Sequence, residues 1–214
     1  MIAPRALLHL LAWFSPGFPT GGFAYSHGLE WAVAAGDVAD ETGLLAWIEA
    51  ILLHGAGRSD AILLRAAHAA ADDAATLADI AELARAVAPT RERQMETLAQ
   101  GTAFAAAAVP WGGTRAGAYP VAAGALMGRE GIDAEHAVLA YLHGFTANLV
   151  SAAVRLIPLG QSAGLRVLAT LEASILAAAE GTRGAPLDAL GGACFRSDIA
   201  AMRHETQYTR LFRS

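Results

Sequence analysis

Ala137-Val-Leu-Ala-Tyr-Leu-His-Gly-Phe-Thr-Ala-Asn-Leu-Val-Ser-Ala-Ala-Val154 contains no formally charged residue and is almost long enough to cross a bilayer. Val138, Leu142, Phe145, Leu149, Ala153 and Leu156 recur at helical spacing over five turns. That spacing predicts an amphipathic helix rather than strands of period two. His143, Thr146, Asn148 and Ser151 interrupt it with groups that hydrocarbon tolerates poorly. A buried central helix of a globular domain is the reading that satisfies both observations.

Working outward, the same period appears at Leu44, Ile48 and Ile51; at Leu77, Ile80, Ala84 and Val87; at Met95, Leu98, Ala105 and Val109; and at Leu168, Leu171 and Ile175. No segment alternates with period two. Pro16, Pro19, Gly55-Ala-Gly57, Pro89, Pro110-Trp-Gly-Gly113, Pro158 and the stretch from Gly181 to Pro186 punctuate the runs. Asp37 to Glu41 and Thr90 to Glu92 have the character of helix starts, the latter without a capping-box glutamate at position 93. These signals predict an all-α, single-domain bundle of about eight to ten helices over residues 1–214, with no internal repeat and no domain linker.

Composition narrows the function. Of 214 residues, 52 are alanine, charged residues amount to 16%, and the formal net charge is −5. All 15 basic residues are arginine. The absence of lysine removes P-loop phosphate binding and Schiff-base chemistry. One cysteine, Cys194, excludes a disulfide framework and a cysteine-based zinc site, and fits a reducing, cytoplasmic setting. Mild acidity without a basic run argues against nucleic acid. The apolar start up to Phe14 imitates a signal peptide, but His9 interrupts it and no A-x-A site follows.

Catalytic patterns fail on context. Gly160-Gln-Ser162-Ala-Gly164 matches a nucleophile elbow, and Asp188 or Asp198 with His204 would complete the hydrolase order, yet no strand precedes it. His204-Glu205 opens a zincin motif that ends on Tyr208 rather than histidine. Glu-x-x-His is absent, with Asp133-x-x-His136 its nearest imitation. The expectation is no enzyme, no resident cofactor and no metal site, with a serine hydrolase as the alternative these residues leave.

The unusual residues lie in three stretches. Phe14 to Trp31 combines prolines and paired glycines with Phe23, Tyr25, Leu29 and Trp31, next to Ser26 and His27; a core-packed helix start and a binding surface are equally compatible with it. Ile157-Pro-Leu-Gly-Gln161 reads as an interhelical turn. Residues 203–214 end in Tyr208, Arg210, Leu211, Phe212 and Arg213, which are anchor-type residues. Such a tail either docks on its own domain or orders on a partner, and the partner is favoured because exposed terminal aromatics are an aggregation liability.

These stretches also carry a resemblance. Ser15-Pro-x-x-Pro-x-Gly-Gly-Phe-x-Tyr-Ser-x-Gly-Leu-Glu30, the Pro-Leu-Gly-Gln161 turn, the segment from Arg91 to Gly101 with Glu96, and His204-Glu-x-Gln-Tyr-x-Arg-Leu-Phe-Arg-Ser214 resemble the UreF family of urease accessory proteins. His27 departs from the glutamine that many members carry. The resemblance implies an all-helical, non-catalytic scaffold for nickel delivery, partnered by UreD/UreH, the GTPase UreG and apo-urease, and extends to a homodimer, with an intrinsic nickel-binding protein as the further alternative. It assigns Arg210, Leu211, Phe212, Arg213 and Ser214 to UreD/UreH contact, and maps Tyr25, Ser26, Glu30, Pro158, Gly160 and Gln161 onto family motifs.

Overall fold

The computed structural model describes residues 2–214. Among them the chain forms eleven α-helices: α1 (Pro4–Trp13), α2 (Leu29–Ala34), α3 (Glu41–His54), α4 (Ala56–Ala69), α5 (Ala74–Ala86), α6 (Arg91–Ala107), α7 (Tyr119–Arg129), α8 (Ala134–Leu156), α9 (Gly160–Thr170), α10 (Glu172–Gly181) and α11 (Phe195–His204). Helices α9 and α10 meet at Leu171 and continue as one apolar rod over 160–181, giving ten rods. Short 3-10 turns occupy Gly22–Ala24, Val109–Trp111 and Leu187–Ala189, and no strand occurs among the described residues. The all-α expectation holds.

Local chemistry sets the helix starts. The side chains of Asp40, Asp73, Thr90 and Asp133 each accept a hydrogen bond from the first turn that follows, satisfying amides that have no partner within the helix. Thr90 does so through Arg93 N–H at 3.1 Å.

Helix α8 packs against α2, α3, α4, α7, α9 and α10. Val138, Leu142, Leu149 and Ala153 are buried, whereas Phe145 and Leu156 at the edge of the stripe are half-buried. The polar residues are accommodated individually. Thr146 is fully buried and returns its hydroxyl to the Leu142 carbonyl at 2.7 Å, while His143 and Ser151 face outward. The large apolar cluster reaches from Leu10 on α1 to Ala200 on α11, and a smaller one joins α4, α5 and α7 through Leu63, Leu77, Ile80 and Val121.

Small residues set the closest helix approach. Gly124 and Gly128, one turn apart on α7, face the backbone of α4; a Cβ at either would overlap the carbonyl oxygen of Leu64 or His68. Helix propensity favours alanine over glycine by about 1 kcal/mol, but overpacking a rigid interface costs about 1–3 kcal/mol, so sterics win here. Gly124→Val is therefore expected to lower the urea-unfolding free energy by about 2–3 kcal/mol. Gly181→Ala, where a Cβ meets nothing within 4 Å, is expected to leave it unchanged or raise it by up to about 1 kcal/mol. Equal losses at both positions would refute the close-packing account.

Candidate functional site

The structure gathers the first and last of the unusual stretches around the first turns of α6. The Met95, Leu98, Ala105 and Val109 face expected to point inward does so only at Ala105; Met95 and Val109 are exposed. In their place Glu92, Arg93, Glu96, Thr97 and Gln100 are buried, a polar stripe at helical spacing. This corrects the sequence-based face assignment. The reason is physical: these groups pair with one another and with other elements, so their burial does not leave charges unpartnered.

Asp60 on α4 receives Arg93 at 2.5 Å and the Tyr141 hydroxyl at 2.6 Å. Burial, and after it the neighbouring Asp60 carboxylate, push both Tyr119 and Tyr141 above the ordinary phenol range. Arg93 also reaches Glu96 at 3.5 Å, and Glu96 pairs with His27 Nε2 at 2.9 Å and accepts from Gln100 at 2.8 Å. Burial works to raise the Glu96 carboxyl, but the charges of His27 and Arg93 and its hydrogen bonds outweigh that and hold it below the usual carboxylate value.

The Ser26-His27-Gly28 turn ties this stripe to the end of the chain. His27 is the single non-glycine residue with positive φ (53°) among those described, which aims its ring at Glu96 while its carbonyl accepts from Ser197 on α11 at 3.3 Å. Gly28 has φ 75°, and a Cβ there would press on the Ala200–Ala201 backbone, so α11 lies directly on the turn. Ser26 N–H donates to the Ser214 main-chain oxygen at 2.8 Å, and the Ser26 hydroxyl donates to the same atom.

Glu30 and His204 complete the clamp. Glu30 accepts the Leu211 N–H at 2.6 Å and the Phe212 N–H at 2.8 Å, and its Oε2 faces His204 Nε2 at 3.1 Å. His204 Nδ1 faces Glu92 Oε2 at 2.8 Å, and Arg210 reaches Glu92 Oε1 at 3.2 Å. Burial raises the Glu92 carboxyl above its ordinary value against the opposing pull of His204 and Arg210. Phe212 lies under the Arg155 guanidinium, 4.3 Å from the ring centroid, and the Ser214 hydroxyl donates to Glu96 at 3.3 Å.

The residues singled out from sequence therefore divide. Ser26, Glu30, Phe212 and Ser214 are buried within the clamp, and Tyr25 is buried beside it, next to Ala24, whose carbonyl accepts from Arg213 N–H at 2.8 Å. Tyr208, Arg210, Leu211 and Arg213 face outward. Residues 210–214 are thus ordered on their own domain, which corrects the expectation that the tail awaits a partner for order. Pro158, Gly160 and Gln161 are exposed at the turn between α8 and α9 and do not join the clamp.

Ser162 is exposed on helix α9 rather than on a strand-to-helix turn, and both ring nitrogens of His204 face carboxylates. Among the described residues no group of three or more His, Cys, Asp or Glu side chains is placed to hold a metal ion. Asp60, Glu92, Arg93, Arg155, His27 and His204 were not chosen as site residues from the sequence. The signal for two of them, Glu92 and Arg93, was present in the polar period 92/93/96/97/100.

A carboxyl whose pKa is lowered on folding adds stability that is full above its unfolded value, 4.5 for glutamate, and is lost as pH falls through the folded value. Glu96 is therefore expected to contribute to an acid limb of unfolding below pH 4.5. Glu96→Gln should lower stability at neutral pH, by about 3–5 kcal/mol for a broken buried ion pair, and flatten that limb. Urea titrations across pH check both; an unchanged limb would count against the His27–Glu96–Arg93 cluster.

The sequence is also similar to that of known proteins. A family model described as UreF matches residues 38–172. The chain is 49% identical to a urease accessory protein UreF of Bradyrhizobium sp. (strain BTAi1 / ATCC BAA-1182), covering 98% of this chain and 92% of that one. It is 50% identical to the UreF of Methylobacterium sp. (strain 4-46), over 97% and 88% respectively. A third, from Rhodopseudomonas palustris (strain TIE-1), is 48% identical over 98% and 92%. The family model stops short of the clamp's two ends, whereas these relatives align over nearly the whole chain. The chain belongs to the UreF family of urease accessory proteins.

Proposed function

We propose that the chain is a non-catalytic scaffold in the maturation of the urease nickel centre, bridging UreD/UreH and the GTPase UreG and meeting apo-urease in that complex. Nickel is cargo in this reading, and the chain supplies surfaces rather than ligands or catalytic groups. It acts in the cytoplasm, and two copies associate as a homodimer.

One observation carries the reading. The closing segment is fixed to the body through Phe212 and Ser214, 4% and 1% exposed, yet it turns Tyr208 and Leu211 out to solvent. Leu211 is 64% exposed and Tyr208 fully so. Arg91, Met95, Glu205, Arg210, Leu211 and Arg213 line an open groove of about 750 Å³ beside them. An aromatic, a leucine and arginines carried on an anchored backbone form the residue set favoured as interface anchors, and that backbone ordering reduces the entropy lost on binding. This surface is the proposed site for UreD/UreH.

Coupling to the GTPase then requires only that the scaffold prefer one nucleotide state, and the preference is reciprocal. An inward substitution would confuse binding with folding, so the informative change is outward. Leu211→Asp is expected to weaken copurification with UreD/UreH at least about tenfold, as for an interface anchor, with an unchanged unfolding midpoint. Undiminished copurification would remove the segment from the interface.

A further inference from the structure

A cleft of about 410 Å³ opens between the irregular segment 14–25 and the middle of α8, with Glu96 and Gln100 of α6 at its floor. Its volume lies within the range of small-molecule sites. It shares His27 and Glu96 with the clamp, but no residue with the groove beside Leu211.

Three neutral polar groups of the lining have no hydrogen-bond partner among the described residues. Gln100 Nε2 donates to Glu96 at 2.8 Å, which leaves Gln100 Oε1 as an acceptor. The Asn148 carboxamide rests against Gly22, where a Cβ would come within 2.7 Å of its Nδ2, and it offers both a donor and an acceptor. Tyr119 is held by its main-chain N–H, which donates to Thr97 at 3.1 Å, and by its ring, centred 5.2 Å from that of Tyr141. Its hydroxyl bonds to nothing in the protein, and burial keeps it protonated and so a donor. None of the three groups is sealed away from solvent.

The ionisable part of the lining is already matched. Glu96 and His27 pair at 2.9 Å, and Glu96 also takes Arg93, Gln100 and Ser214. A charged ligand entering beside them would lose water without gaining a free counter-ion. A metal ion would meet one carboxylate and one imidazole committed to each other. The remaining walls are aromatic. Phe145 stands edge-on to His27 at 4.9 Å, Phe14 edge-on to Tyr141 at 6.1 Å, and Phe18 lies 5.5 Å from Phe104. Half-buried rings of this kind accept a flat partner by offset stacking or edge contact.

We infer that this cleft binds a small, neutral, planar amide, with its ring among Phe14, Phe18 and Phe145 and its carboxamide on Gln100, Asn148 and Tyr119. The amide N–H groups have an acceptor in Gln100 Oε1, its carbonyl a donor in the Tyr119 hydroxyl, and Asn148 complements either. The site is independent of the UreD/UreH assignment, and the isolated full chain suffices to test it.

Benzamide is the probe, titrated while NMR follows the side-chain amides of Gln100 and Asn148. Saturable shifts are expected with a Kd of about 1 mM or tighter, as for a ligand of this size. Benzoate and benzylammonium, the same ring carrying a charge, are expected to bind at least about tenfold more weakly. Tyr119→Phe keeps the ring and removes one donor, and Asn148→Leu replaces a half-buried carboxamide, so both are expected to keep the unfolding midpoint. Each is expected to weaken benzamide at least about fivefold, the effect of one lost hydrogen bond. No saturation by about 10 mM, equal binding of the charged probes, or undiminished binding by both variants would overturn the site. Shifts at these amides on adding UreD/UreH, with none from benzamide, would overturn it too and give the cleft to a protein partner.

Discussion

A buried carboxylate must find a donor for each exposed lone pair or pull water in with it. Glu30 meets that demand with two main-chain amides and one imidazole, none of them from its own helix. The donors come from the end of the chain and from α11, which fixes where both must lie. Helix α6 then supplies the second carboxylate to the imidazole, and α8 supplies the arginine over Phe212. The arrangement of the site is largely a consequence of satisfying this one side chain.

The apolar packing around the clamp gives it something rigid to act on. Trp13, Phe18, Phe104, Trp111 and Tyr119 form an aromatic cluster with centroid separations from 5.5 to 6.5 Å, joining α1 and the irregular segment after it to α6 and α7. Tyr119 continues to Tyr141, whose hydroxyl ends on Asp60. The aromatic cluster and the charged stripe are therefore in contact through Tyr141. Neither α6 nor the Phe14–Trp31 segment can move without disturbing both.

Much of the fold was legible because helices of this protein announce themselves by period. Val138 to Ala153, the caps at Asp40 and Thr90, and the glycine-proline breaks all follow from properties of single residues and their near neighbours. The site was legible only in its ends. Ser26, Glu30, Phe212 and Ser214 stood out in sequence, but their roles depend on pairings across more than a hundred residues. Helix α6 shows why the middle was hidden: an apolar-face rule selects Met95 and passes over Glu96, and no local property reveals that His27 waits opposite. His27 is itself a case, since its left-handed backbone, uncommon for a non-glycine residue, is what turns its ring toward Glu96.

The span of these pairings also bears on how the molecule folds. Ser26 and Ser214 are separated by 188 positions and Glu30 and Phe212 by 182, among the longest separations the chain offers. Closing such loops carries an entropy cost that must be met before the contacts repay it, so the clamp belongs after the rate-limiting barrier rather than in the nucleus. Interactions formed that late act on the rate of opening and not on the rate of folding. On that ordering the closing segment acts on how long the native state persists rather than on how quickly it is reached.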